Sequence, residues 1–347
     1  MAKLYNQSLS KRDLFARVSH LSQISGPRSY TFNEGKAKGM TAVDIRTGGG
    51  LSYTVLPDRG IDIAWAEYKG IPLGYISKSG LSSPQYYCPD KSTWGESFTG
   101  GLLTTCGLMH AGNSCVYNGR KFSTHGNISN IPAVDMGSFQ EWEGDEMRMG
   151  VRGTLLNGHL YRENLEMNRT LTSRLGENII RIHDVITNNG FERMPLMLIY
   201  HMNFGFPFVD KDTILDVDAI SRKVAGKALE TGIDTYIEMM NEPLADNPDV
   251  TFFHDLRPDD QGMVRCQMMN KRIGLGIYML WNKKELWNFA EWRHLKPGDY
   301  VVGLEPCNNY IQGIPKEQEN GTLEYIEPGE SRIFELEFGV FELGENE

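Results

Sequence analysis

Hydrophobic and polar residues trade places at every second position over long stretches of this chain. In "LSYTVLPDRGIDIAWAEYKGIPLGYI", residues 51–76, Leu51, Tyr53 and Val55 alternate with polar or small neighbours. Ile61, Ile63 and Trp65 do the same after a Pro-Asp-Arg-Gly break. Successive strand residues point to opposite faces, so the spacing predicts two strands around a turn, each with one buried face. The pattern returns in "NRTLTSRLGENIIRIHDVITNNG", where Leu-Gly-Glu-Asn reads as a connection and Asn188-Asn189-Gly190 as the next turn. It closes in "SRIFELEFGVFEL", with Phe334, Leu336, Phe338 and Val340 on one face and Glu335 and Glu337 on the other.

The best helix candidate is "SLSKRDLFARVSHLSQIS" near the start, where Ser10 with Asp13 resembles a capping box and Leu14, Val18 and Leu21 follow at helical spacing. No fixed-period repeat, low-complexity tract or Pro/Ser-rich linker marks a boundary. The prediction is a single domain, 1–347, with residues 1–25 as a helical or irregular N-terminal extension. Two layers of mostly antiparallel strands would bury the alternating faces against each other, so the expected fold is all-β, a large antiparallel sandwich.

Composition narrows the function. The chain is 40% hydrophobic and 23% charged, which suits a globular protein with ample core. A net charge of −10 with no Lys/Arg-rich block argues against nucleic acid or anionic lipid as partner. No apolar run approaches membrane-spanning length and no secretory stretch opens the chain, so a cytoplasmic protein is expected. The five cysteines lack C-x-x-C spacing and are expected as reduced thiols.

Three stretches set an ionisable side chain beside Gly, Asn or Pro at a predicted strand end: "STHGNISNIPA", "LIYHMNFGFP" and "GLEPCNNY". They carry His125, His201 and Glu305. Each alone would be read as a structural histidine or a solvated glutamate. The exception is the apolar run Leu196 to Tyr200, which delivers His201 and Asn203 into a Gly/Pro-rich exit. An imidazole in apolar surroundings needs a reason.

In that order, "VLPDRGIDIAWAEYKGIPL", "GGLLTTCGL", "THGNISNIPA", "LIYHMNFGFP" and "GLEPCN" resemble the DUF4432-like branch of aldose 1-epimerase-like proteins, within the galactose mutarotase superfamily. The resemblance spans roughly residues 20 to 342. It implies a galactose mutarotase-like β-supersandwich whose concave face holds a sugar, with His201 as general acid, Glu305 as general base and His125 as a second sugar-binding histidine. The family's binding aspartate falls near Asp249 or Asp255. Where characterised mutarotases carry a Gly-Arg motif, this chain reads "TGGLLTTCGLMHAG", without the arginine. Arg59 in "PDRGID" could substitute, although pairing with Asp58 or Asp62 is the plainer reading. Asn203, and Trp292 as an aromatic platform, complete the expected sugar-binding set, with Tyr310 a further candidate.

The chemistry fits those residue types. Interconverting anomers removes a proton from the C1 hydroxyl and delivers one to the ring oxygen. A carboxylate and an imidazole can do both near neutral pH, with neither metal nor redox cofactor. A small-molecule sugar is the expected partner and a monomer or homodimer the expected assembly. Two alternatives stand beside this one: a metal-dependent sugar isomerase using His125, His201 and Glu305 as ligands, and a carbohydrate-binding protein without turnover.

Overall fold

The alternating segments pair into two large antiparallel sheets that close on one core. The computed structural model describes residues 1–89, 93–225 and 238–344. Among them the first sheet runs, edge to edge, Ala219–Ala225, Asp249–Leu256, Asn288–Lys296, Asp299–Cys307, Ile199–Gly205, Leu103–Cys106, Asp62–Tyr68, Leu51–Leu56, Thr41–Arg46 and Gly26–Thr31, with Ile71–Pro72 added beside Asp62–Tyr68. The second runs Val134–Glu143, Glu146–Gly158, Asn164–Arg174, Ile179–Asn188, Ser331–Glu342, Leu275–Asn282, Met263–Asn270 and Ile214–Val217. The expected all-β antiparallel sandwich is what forms. No described helix is long and apolar enough to cross a membrane.

Period-two patterning decides which side chains meet. Val55, Ile63, Tyr200, Met202 and Phe204 of the first sheet join Val151, Leu171, Ile182 and Phe338 of the second in one buried cluster. Phe204 and Phe338 stack across it with ring centroids 6.1 Å apart. Burial of this much apolar surface is the main favourable term of the fold. Phe334, Leu336, Phe338 and Val340 all turn inward, as their spacing predicts.

One polar group ties the two sheets together. Arg169 is fully buried on Asn164–Arg174 and grips Asp184 of the adjacent strand through Nε and Nη2, at 2.9 and 2.7 Å. Its Nη1 crosses to the first sheet, donating to Asp62 Oδ1 at 3.0 Å, Thr105 Oγ1 at 2.7 Å and the Gly60 carbonyl at 3.0 Å. Tyr200 Oη donates to Asp184 Oδ2 at 2.6 Å. Such a network, with every charge partnered, fixes register rather than adding large net stability. Here it anchors Tyr200 and Thr105, the chain neighbours of His201 and Thr104.

Two local expectations change. Ser10 and Asp13 do form a capping box, but the helix covers only Lys11–Phe15, and Leu21 begins a separate 3-10 turn, Leu21–Gln23, capped by His20. Leu14, Val18 and Leu21 are nonetheless buried, and a hairpin of Ala2–Leu4 with Gln7–Leu9 precedes them. Trp65 does not join Ile61 and Ile63 inside; it is 42% exposed. Tyr53 pairs with Ala66 and Val55 with Ile63, so two residues, Ala64 and Trp65, stand opposite Thr54 alone. That bulge shifts the alternation by one and turns Trp65 outward.

Candidate active site

Strand Ile199–Gly205 is buried on both faces. Tyr200, Met202 and Phe204 belong to the inter-sheet core, so Ile199, His201 and Asn203 point to the opposite face of the first sheet. Its neighbours complete that face. The ladder pairing Ile199 with Cys307 and Met202 with Leu304 sets His201 opposite Glu305, while Ala290 pairs with Glu305 and Thr104 with His201. One row therefore reads Ala290, Glu305, His201, Thr104, and the next reads Trp292, Gly303, Asn203.

The cross-strand pair is in direct contact, with His201 Nε2 3.2 Å from Glu305 Oε1 and both side chains almost wholly buried. Burial pushes Glu305 up to about 8 and pulls His201 down to about 4. Each shift disfavours the charged form, as desolvation must. His201 Nδ1 and Asn203 Oδ1 are buried without a hydrogen-bond partner, although the Asn203 amide donates to the His201 carbonyl at 2.9 Å. Buried polar atoms of this kind call for a ligand or water.

Gly303 makes the convergence possible. A Cβ there would lie 2.6 Å from Glu305 Oε1 and 3.2 Å from both His201 Cε1 and Trp292 Cε3. Trp292 packs edge-on against His201 with centroids 5.6 Å apart, and its indole N–H donates to Asp249 Oδ1 at 2.7 Å. Phe98 also stands 5.6 Å from His201.

His125 arrives from a loop folded over this face. Its carbonyl accepts from Gly107 N–H at 3.0 Å and its N–H donates to Gly112 O at 2.8 Å. Gly112 N–H points at Nδ1 from 3.4 Å, which leaves Nε2 to carry the ring proton of the neutral imidazole. Burial, then the nearby His201 and His110, holds His125 neutral by pulling its pKa down to about 3. Its ring lies 6.0 Å from that of His201 and 4.9 Å from Trp94, which stacks on Phe98.

Of the residues singled out from sequence, His201, Glu305, His125, Asn203 and Trp292 thus come together. Arg59 sits apart from the pair. It is 3% exposed, donates from Nη1 to the Ser82 carbonyl at 2.7 Å, and makes no ion pair with Asp58 or Asp62. The pairing expected for it fails because both acids are engaged elsewhere, Asp58 by Thr41 N–H at 2.5 Å and Asp62 by Arg169 and Thr105. Asp249 lies beside Trp292, whereas Asp255 pairs with Lys283 at 2.6 Å. Tyr310 packs between Phe253 and Trp287. Trp94, Phe98 and Gly303 were not anticipated; the aromatic pair in "TWGESFT", directly before "GGLLTTC", was the available signal. Among the described residues no group of three His, Cys, Asp or Glu side chains is placed to hold a metal ion.

A family model described as "Domain of unknown function (DUF4432)" matches residues 37–340. No curated protein matches the sequence. Among solved structures, that of a "putative aldose 1-epimerase" from Klebsiella pneumoniae subsp. pneumoniae MGH 78578 aligns with a TM-score of 0.84 at 22% identity, over 90% of this chain and 83% of that one. A galactose mutarotase-like protein from Clostridium acetobutylicum aligns at 0.63 and 12% identity, over 92% and 100%. Galactose 1-epimerase from Lactobacillus acidophilus NCFM gives 0.61 and 12%, again over 92% and 100%. At such identities the likeness is one of fold, and the fold is galactose mutarotase-like.

Proposed function

Because this chain belongs to the DUF4432 family, whose description assigns no activity, we propose from its site that it is a carbohydrate mutarotase or epimerase acting at C1 of an aldose. The observation that carries this reading is the 3.2 Å contact between His201 Nε2 and Glu305 Oε1 on a buried face rimmed by aromatics. Pockets lined by aromatic groups with a few convergent polar atoms suit a sugar. The reading treats the chain as one domain, since strands from residue 26 to residue 307 build the sheet that carries the site.

Burial alone leaves the pair without net charge between about 4 and about 8, where His201 is neutral and Glu305 holds its proton. One member can therefore give a proton while the other takes one. The resting pair carries its proton on Glu305, so the working forms arise when that proton crosses the 3.2 Å contact to His201 as the sugar's hydroxyls partner the buried groups; Glu305 as carboxylate then removes the proton from the C1 hydroxyl, and His201 as imidazolium delivers one to the ring oxygen. The C1–O5 bond breaks, the electron pair of the O–H bond becomes the carbonyl, and an open-chain aldehyde forms. Rotation about C1–C2 presents the other carbonyl face, and ring closure returns both protons. His125 Nε2–H and the Asn203 amide oxygen fix the remaining hydroxyls, and Trp292 and Phe98 pack against the C–H faces of the ring.

Magnetisation-exchange NMR across a panel of aldoses, uronic acids and sugar phosphates tests the reading. Exchange between anomers should quicken with at least one sugar and survive chelation. A panel on which no anomer exchange exceeds the solvent rate contradicts catalysis, tight binding without acceleration marks a sugar-binding protein, and activity lost with a chelated ion marks a metal enzyme.

A further inference from the structure

Three arginines are buried among the described residues, and Arg59 is treated unlike the other two: Arg293 is paired with Glu291, its Nε donating to Oε1 at 2.5 Å. Arg169 has Asp184, Asp62, Thr105 and the Gly60 carbonyl around its guanidinium. Arg59 has one hydrogen bond, to the Ser82 carbonyl, and no ion pair among the described residues. Taking a cation out of water costs several kcal/mol unless it is partnered. Burial accordingly pulls Arg59 down to about 10, against a pull upward from Asp62.

The position of Arg59 explains it. Val55 and Ile63 face the inter-sheet core, so Leu56 and Ala64 face the other way, and Leu81 packs on them there. Ser82, the partner of Arg59, follows Leu81, so the guanidinium lies on the sheet face that carries His201 and Glu305. Thr104 pairs with His201 and Leu103 with Ile63, which puts the start of Asp62–Tyr68 two strands, or about 10 Å, from His201 and three strands from Glu305. The segment leaving Ser82 ends at Tyr87, whose hydroxyl donates to the carbonyl of Gly126, next to His125. The Ser82 hydroxyl itself is buried with no hydrogen-bond partner.

We propose that this site takes an aldose bearing an anionic group, a uronate carboxylate or a phosphate monoester, and that Arg59 with the Ser82 hydroxyl receives that group while His201 and Glu305 work on C1. The inference rests on the mutarotase reading for its chemistry, but not for its binding. An anion there supplies a counter-charge in direct contact, whereas Asp62 acts on Arg59 only through space and both Asp58 and Asp62 spend their hydrogen bonds on Thr41, Thr105 and Arg169. A guanidinium also matches either anion with two parallel N–H donors. Charge steering from a protein of net −10 would not favour such a substrate, so its recognition has to be local.

The test compares glucose with glucuronate and glucose 6-phosphate, and galactose with galacturonate, by anomer-exchange NMR on the full chain. The anionic member of at least one pair should have a kcat/KM at least tenfold above its neutral parent. The arm that shows the preference identifies carboxylate or phosphate. In Arg59→Gln the ratio should fall toward one, and Arg59→Lys should restore part of it. A wild-type ratio of one or less in every pair overturns the proposal without any variant, as does a preference that survives Arg59→Gln. If no sugar is turned over, the mutarotase reading fails alone. Calorimetry on the same pairs then decides: tighter binding of the anionic sugar upholds the role of Arg59, and equal or absent binding of it overturns that role.

Discussion

Replacing Glu305 with glutamine should make the protein more stable, by an amount that grows with pH. Burial lifts this carboxyl from an ordinary 4.5 to about 8. The folded chain thus binds the proton more tightly than the unfolded one across that interval. Stability carried by this group is present below 4.5 and is lost as pH rises through about 8. Each pH unit in the interval removes about 1.4 kcal/mol. By pH 7 the wild type has given up about 3 kcal/mol relative to a chain with no acid at this position. Glutamine keeps the shape and can donate an amide N–H to His201 Nε2, so the loss of contact is small. His201 contributes the opposite slope between about 4 and its ordinary 6.5, but it is present in both proteins and cancels in the difference. Urea unfolding of both proteins at pH 5, 6, 7 and 8 measures it. The gain of Glu305→Gln over wild type should be under about 1 kcal/mol at pH 5 and about 3 kcal/mol at pH 7. A difference that stays flat across those pH values refutes the claim that the carboxyl is held protonated by its surroundings.

Gly303→Ala places a methyl 2.6 Å from Glu305 Oε1, so the carboxyl must move aside. Anomer exchange should drop by about 10²-fold, as expected for an approximately 1 Å misplacement, with roughly 1–3 kcal/mol of stability lost in thermal unfolding. Arg169→Met strips Asp62 and Asp184 of their cation in a dry core, and chemical denaturation should show a loss of about 3–5 kcal/mol. A loss below about 1 kcal/mol would mean that the inter-sheet tie is not what anchors Tyr200 and Thr105.

The sheets were legible because burial on one face leaves a period-two trace, and Ser331–Glu342 and Asn164–Arg174 carry it cleanly. Arg169 and Asp184 leave a legible trace too, in the phase of their strands. Arg169 takes the inward phase of Leu165, Met167 and Leu171, and Asp184 that of Ile180, Ile182 and Ile186. A charge in the apolar phase of a strand announces a buried partner. Trp65 misled because a bulge spends one extra residue without any mark in composition. The site motifs named His201 and Glu305 by resemblance, but no local pattern says that two strands meet with these residues opposite each other. That follows from long-range register alone, as does the crowding that forces glycine at 303. Arg59 could not be judged from its acidic neighbours in sequence, because Thr41 and Arg169, which engage them, come from other strands.

Anomer-exchange rates of Glu305→Gln, His201→Gln and the double variant, measured on the best sugar of the panel, bear most directly on whether these two side chains act on one hemiacetal. Groups that pass a proton through the same ring opening fail together. Each single variant should lose about 10²–10⁴-fold and the double variant little more than the worse single. Losses that multiply in the double variant, or a single variant with full activity, would contradict a shared acid–base pair.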